Sequence, residues 1–323
     1  MKKVLVTGAA GFIASRVTLQ LLEQGVEVVA IDNFNDAYDA RLKEHRMTWL
    51  EGREGLTFVK GDIEDKALVN QLFADHKFDV VFNLAARAGV RYSLENPDVY
   101  FSTNVDGTRH LLQAMRFGGV KKIVIASTSS LYAGLPMPFT EDKPVDRPLS
   151  PYAASKKAAE VLAFTYHHLF GLDVSILRYF TVYGPAGRPD MAPFRFIRWI
   201  DEGTTIEMFG DGSQARDFTY VDDIARGTIL AAKPLGYEII NLGGGKRPTS
   251  LMQLIDAMEQ RLGAKASIEH KPFHNADMME TWADISKAQE LLGWEPTVSL
   301  EDGLDQTIAW YRENKDLAQS LVI

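Results

Sequence analysis

Cysteine is absent from all 323 residues. That excludes disulfides, thiolate metal sites and a cysteine nucleophile, and it agrees with a reducing, cytoplasmic setting. Long apolar runs are missing too. Lys2-Lys3 followed by residues 4–6 imitates the start of a secretory leader, but the run stops at Thr7-Gly8. No other stretch reaches the roughly 18 apolar residues of a membrane span, so no membrane is expected as a partner. Positive charge is not in excess: 35 Lys and Arg against 43 Asp and Glu leave a net charge of -8. Nucleic acid is therefore not expected as a partner, because phosphate-backbone affinity rests on clustered cations. A small anionic ligand needs only local positive charge and stays open. Repeats, low-complexity tracts and flexible linkers are lacking, and no metal site is expected.

What remains is an ordinary globular composition, 46% hydrophobic and 24% charged, able to bury a sizeable core. Short apolar runs at residues 4–6, 26–31, 56–59, 80–84 and 122–126 read as buried strands. Between them, residues 12–23, 38–50, 65–76 and 97–117 carry helical patterns. This alternation predicts a parallel sheet covered on both faces. Pro151 opens another helix, with Ser150 as its cap. Beyond about residue 180 the pattern becomes irregular, with helices expected at residues 193–201, 222–232, 251–262 and 300–313.

Gly8-Ala9-Ala10-Gly11-Phe12-Ile13-Ala14 directly follows the first strand and opens the first helix. Gly8 permits the tight turn, Gly11 lets backbone amides approach a pyrophosphate, and Ala14 allows close helix-sheet packing. The helix N-terminus faces the negative charge. Asp32 ends the second strand, where a carboxylate accepts hydrogen bonds from ribose hydroxyls and repels a 2'-phosphate, favouring NAD over NADP. Asp62-Ile63, past the third strand, suits the adenine. The expected architecture is thus α/β, a Rossmann-like doubly wound parallel sheet. Residues 1–180 form the dinucleotide-binding domain, and residues 181–323 a smaller C-terminal substrate-binding lobe woven onto it.

Ser127-Thr128-Ser129-Ser130 follows the fifth strand, at the carboxyl edge where open α/β sheets bind ligands. Tyr152 and Lys156 lie four residues apart on one helix face. A tyrosine titrates near 10 and is a poor base at neutral pH; nearby positive charge would favour its phenolate.

The combined pattern resembles the extended short-chain dehydrogenase/reductase superfamily and, within it, the nucleotide-sugar 4-epimerases, above all those acting on UDP-glucuronate. The resemblance rests on residues 85–93, 150–156, 178–185, 187–192 and 216–223, and spans nearly the whole chain. It implies an NAD-dependent epimerase acting on a UDP-sugar, most simply UDP-glucuronate to UDP-galacturonate through a transient 4-keto sugar. Tyr152 would take the C4 hydroxyl proton, Lys156 would hold the nicotinamide ribose, and Thr128 would bond the reacting oxygen. By the same resemblance the cofactor meets Gly8, Gly11, Phe12, Ile13, Asp32, Asn33, Asn35, Lys43, Asp62, Ile63, Leu84, Ala85, Ala86, Asn104, Tyr179 and Val182. The substrate meets Arg91, Ser129, Ser130, Thr181, Arg188, Arg216 and Asp277, and a homodimer forms through the helices near residues 97–117 and 151–170. Arg188, forked and permanently charged, suits bidentate binding of the sugar carboxylate, and Arg216 the diphosphate.

The chain departs from relatives at Asn83, where His is common, at Arg87 for Gln, at Ala186 for an aromatic residue, at His274 for Gln or Arg, and at Thr128 for Ser. Alternatives are a UDP-glucuronate decarboxylase, another UDP-hexose 4-epimerase, and a non-catalytic NAD-sensing scaffold protein. A 4,6-dehydratase usually places acids beside the catalytic threonine, where Ser129 and Ser130 stand here.

Overall fold

The computed structural model describes residues 1–246, 248–273 and 278–323. Its first half alternates as expected: β1 (Lys3–Thr7), α1 (Phe12–Glu23), β2 (Glu27–Asp32), α2 (Ala40–Thr48), β3 (Leu56–Lys60), α3 (Lys66–Asp75), β4 (Val80–Asn83), α4 (Val90–Glu95) and α5 (Asp98–Phe101). Then come α6 (Thr108–Gly118), β5 (Lys122–Thr128), α7 (Pro151–Phe170), β6 (Asp173–Tyr179) and β7 (Thr181–Tyr183). Seven strands pair in parallel, in the order β11-β6-β5-β4-β1-β2-β3, with β11 at Tyr237–Leu242. The order reverses between β1 and β4, which opens a crevice at their carboxyl ends.

Alternation along the strands explains why both faces are covered. Val4, Val6, Val28, Ala30 and Phe82 face α1 and α9 (Val221–Leu230). Leu5, Val29, Ile31, Val81, Ile123 and Ile125 face α3, α6 and α7. Burying each such side chain stabilises the fold by about 1.5–3 kcal/mol.

The expected single helix over residues 97–117 is corrected. It is three pieces, α5, a π-helical stretch Ser102–Gly107, and α6. A side chain on Gly107 would meet Ile63 at 2.6 Å, so glycine allows the stretch to lie against the loop after β3. The strands β6 and β11 are additions to the expected set.

The second half serves both regions. Together α9, β11 and α11 (Ser286–Leu292) complete the sheet and its cover. The separate lobe core joins α8 (Ala192–Glu202), α10 (Leu251–Leu262) and α12 (Leu300–Glu313), with Leu42 of α2 packed into it. Short strand pairs, including β8 (Ile206–Phe209) and β9 (Ala215–Arg216), edge this lobe.

Candidate active site

The glycine turn is pinned beneath β2, with Gly8 and Ala9 donating their backbone N–H to the Ile31 carbonyl at 2.8 and 3.1 Å. Gly8 adopts φ 70°, and a Cβ there would come within 2.7 Å of Ala85 Cα, so the turn and the loop after β4 touch. Gly11 begins α1 without a side-chain cap, so the first helical amides, those of Phe12 and Ile13, are not taken by a capping side chain. Asp32 is 5% exposed; its carboxylate accepts from Phe34 N at 2.7 Å and Ala10 N at 3.1 Å, with Lys43 Nζ 3.7 Å away. A carboxylate accepts about four hydrogen bonds, so capacity remains for ribose hydroxyls.

Lys43 donates to Asn35 Oδ1 at 2.9 Å, and Asn33 donates to Asp62 Oδ2. Burial pushes the Lys43 ammonium below its usual range, and the charges of Arg46 and Arg87 push the same way. A net-negative protein thus concentrates cations where an anionic dinucleotide would lie. Gly8, Gly11, Asp32, Asn33, Asn35, Lys43, Asp62, Ile63, Leu84, Ala85 and Ala86 line this cleft, as expected. Tyr38 and Thr103 join them without having been singled out by the sequence, and Arg188 joins them although the sequence assigned it to the substrate.

Other expected cofactor residues present their side chains elsewhere. Phe12 is buried under the Arg46 guanidinium, Val182 packs on the sheet core, and the Tyr179 hydroxyl shares a 2.8 Å hydrogen bond with Thr228. Asn104 reaches inward from the π-helical stretch, accepting from Arg87 N at 2.9 Å and donating to Arg87 O and Ser155 Oγ. It fixes the loop after β4 to α7. Asn83, where relatives carry His, accepts from Thr7 Oγ1 and donates to Thr108 Oγ1, so both ends of its amide are engaged between the sheet and α6.

At the catalytic end, β5 finishes in Thr128, whose hydroxyl caps the turn holding Ser129 and Ser130 by accepting from Ser130 N. Helix α7 begins as expected, with the Ser150 hydroxyl accepting from Ala153 N and Pro151 in the first turn. Tyr152, Lys156 and Glu160 follow at four-residue spacing. The half-buried Tyr152 phenol lies close to the Thr128 side chain. Lys156 is 6% exposed and donates to the Ala126 carbonyl at 2.8 Å; burial lowers it to about 8.

The expected lowering of the Tyr152 phenol is not supplied by the protein's side chains. Burial raises it, and the nearby Thr128 side chain and Arg188 charge only oppose that rise. Glu160 is spent on Arg178 and Ser127, a buried pair at 2.9 Å that locks α7 to β5 and β6. Both charges interrupt apolar stretches, the one signal that marked them.

Arg188 sits close to Tyr152 and bonds Ala88 O at 3.3 Å, but its Nε/Nη2 fork is taken by Asp190 at 3.0 and 2.6 Å. The expected bidentate edge is therefore used within the protein. Nη1 has no hydrogen-bond partner among the described residues and is the atom open to a ligand. Thr181 lies half-buried at the start of β7, and Arg91 stacks 4.6 Å from the Phe209 ring. Arg216 donates to Ala215 O and Met279 O. Of the two acids close to it in sequence, Asp222 is bonded by Arg16, and Asp217 accepts from Ala283 N and Gly245 N. Asp277 and His274 lie outside the described residues.

A sequence profile of the NAD dependent epimerase/dehydratase family matches residues 4–243. A UDP-glucuronate 4-epimerase of Thermodesulfobacterium geofontis is 57% identical over 319 residues, covering 99% of each chain. The crystal structure of UDP-glucuronic acid 4-epimerase from Bacillus cereus, in complex with UDP-glucuronic acid and NAD, superposes with a TM-score of 0.90 at 39% identity. It covers 96% of this chain and 99% of that one. UDP-glucose 4-epimerase of Thermotoga maritima, with UDP-glucose, gives 0.87 at 33% identity over 97% and 99%.

Proposed function

The chain belongs to the NAD dependent epimerase/dehydratase family, and within it we propose that it is an NAD-dependent 4-epimerase interconverting UDP-glucuronate and UDP-galacturonate. The observation that carries this reading is the meeting of Thr128, Tyr152 and Arg188 beside the Asp32 cleft. The cleft fits NAD: a glycine turn at Gly8 packed on the Ala85 backbone where a Cβ has no room, a carboxylate for ribose, uncapped helix amides, and Lys43 and Arg188 in the lining.

Bound there, NAD would supply the acceptor for the C4 hydride and the source of its return to the opposite face of the sugar. Tyr152 receives the C4 hydroxyl proton as the C–H bond breaks, and gives it back when the C4 epimer forms. Thr128 donates to the same oxygen. Lys156, anchored by Ala126 O, would hold the nicotinamide ribose and add positive charge there. Arg216 and Arg91 receive the diphosphate.

Oxidation at C4 puts a ketone β to the C5 carboxylate, and such acids lose carbon dioxide when the breaking bond aligns with the carbonyl π system. Arg188, braced by Asp190, turns Nη1 toward the carboxylate while Thr181, Ser129 and Ser130 supply further donors, so that alignment is denied. This favours epimerisation over decarboxylation. Serines at 129 and 130, in place of acids, leave no group to expel water.

We place the enzyme in the cytoplasm as a homodimer. No helix among the described residues is long and apolar enough to cross a membrane. Outward-facing Phe101, Val161, Phe164 and Leu169 on α5 and α7 offer an apolar surface for a second copy.

The purified protein, given a panel of UDP-sugars without added nicotinamide, should equilibrate UDP-glucuronate with its C4 epimer by NMR. Stoichiometric NADH or carbon dioxide in place of the epimer would overturn the reading.

A further inference from the structure

Arg46 is fully buried in α2 and has no carboxylate within ion-pair range among the described residues. An uncompensated guanidinium in the interior is costly, so what holds it there identifies its task. Nε and Nη2 both donate to the Ala186 carbonyl, at 2.9 and 2.8 Å. Nη1 donates to the Ala10 carbonyl at 3.2 Å and to the Tyr38 hydroxyl. The rings of Phe12 and Tyr38 lie 5.7 and 5.3 Å away.

These partners come from two regions distant in sequence. Ala10 belongs to the glycine turn at the cofactor cleft. Ala186, buried and held at φ 50°, lies between Gly184 and the Arg188-Asp190 pair. Gly187 N closes that turn onto Gly184 O at 3.1 Å. Left-handed backbone is unfavourable for alanine, and two donors on its carbonyl hold it. The same guanidinium that grips the substrate loop therefore also grips the cofactor turn, through a planar group that a lysine cannot reproduce.

We propose that Arg46 is a positioning residue that couples the two halves of the site, setting the distance between the cofactor turn and the loop carrying Arg188. This rests on the UDP-glucuronate reading above for its substrate half only. Displacing the turn loosens NAD; displacing the loop withdraws Nη1 from the sugar carboxylate while the uridine diphosphate contacts on the lobe stay in place.

The test uses Arg46→Lys in the full-length protein, with Tyr38→Phe as a milder variant that removes one partner and keeps the charge. Bound NAD is measured after denaturation, KM is measured for UDP-glucuronate, and affinity for UDP is measured calorimetrically. For Arg46→Lys the expected result is a KM for UDP-glucuronate raised tenfold or more, UDP affinity within twofold of wild type, and NAD content at least halved. Tyr38→Phe should shift KM and NAD content together in the same direction by a smaller factor. NAD content and KM both at wild-type values in a folded Arg46→Lys protein would overturn the inference. So would a parallel loss of UDP affinity, which indicates general loosening. If Arg46→Lys does not fold, Tyr38→Phe decides the matter, and movement of KM without NAD content, or the reverse, refutes coupling. Wild-type protein inactive on UDP-glucuronate would sink the functional reading instead, and NAD content would still decide whether Arg46 holds the turn.

Discussion

Lys156 and Arg188 are cations drawn out of water, and the chemistry proposed for each comes at a cost to the fold. Burial brings Lys156 from its ordinary 10.5 to about 8, against the pull of Glu160. Between those values the unfolded chain binds more protons than the folded one, so stability rises with pH across that window. Below pH 8 the penalty is present in full, about 3 kcal/mol for a shift of this size. Lys156→Met removes it, less about 1 kcal/mol for the Ala126 carbonyl left without its donor. The variant should therefore melt at a higher temperature than wild type at pH 7, and that advantage should shrink between pH 8 and 10.5 while epimerisation is lost. Melting curves across that range check it, and a difference independent of pH refutes the cost assigned to the buried charge. Arg188→Ala tests the other cation. Losing a charged hydrogen-bond partner costs about 1.5–3 kcal/mol, a roughly tenfold or larger rise in KM for UDP-glucuronate. The 4-keto sugar, free to rotate at C5, should also release carbon dioxide, whereas UDP-glucose, if accepted, should be unaffected. Unchanged KM and no carbon dioxide would reduce Arg188 to a loop residue paired with Asp190. Tyr152, Lys156, Thr128, Gly8 and Asp32 were legible because each stands at a fixed offset from a strand end or helix start. Arg46 was not, since its partner Ala186 lies 140 positions away and its helix shows nothing but a polar, solvated pattern.

Elements were legible where one period ran unbroken. The helices Phe12–Glu23, Leu251–Leu262 and Leu300–Glu313 fall on their expected bounds because their apolar stripes run unbroken, and Ser250 and Ser299 cap the last two. The stretch from Pro97 to Phe117 misled because a π-helical segment inserts without breaking helical periodicity, and its cause is tertiary. It turns Asn104 inward onto Arg87 and Ser155, and it needs Gly107 against Ile63. Insertions of this kind are frequent at functional sites. Ile63 lines the cofactor cleft, so this contact carries a prediction at the scale of the element. Gly107→Ala drives a methyl to 2.6 Å from two Ile63 carbons, and the side chain must move toward the adenine end. Bound NAD should fall several-fold, at a stability cost of about 1–3 kcal/mol for overpacking, with KM for UDP-glucuronate nearly unchanged once NAD is supplied in excess. Fluorescence titration of the NAD-depleted protein measures this, and an unaltered NAD affinity would show that the glycine serves helix packing alone.

Across the whole molecule, β6 and β11 escaped notice for different reasons. Residues 173–179 carry Arg178 inside an otherwise apolar run, and the charge disguises a central strand until Glu160 is seen opposite it. Residues 237–242 come after lobe elements, yet return to pair with β6 at the sheet edge. Sequence order is a poor guide once a chain weaves between two layers. The same helix that presents Tyr152 and Lys156 inward ends in Val161, Phe164 and Leu169, exposed by 54, 50 and 60%. Aromatic and aliphatic groups at that exposure on one helix are costly to leave in water, and a second copy packed there would also brace the helix carrying the catalytic pair. Phe164→Asp with Leu169→Asp would put two carboxylates into each copy's contact face, four across the two-fold, where none finds a counter-charge. The double variant should sediment as a monomer, melt at a lower temperature than wild type, and lose activity in proportion to its dissociation on dilution. A wild-type protein that sediments as a monomer at micromolar concentration, or a double variant that keeps the wild-type mass, removes α7 from any subunit contact and leaves its apolar outer face without that explanation.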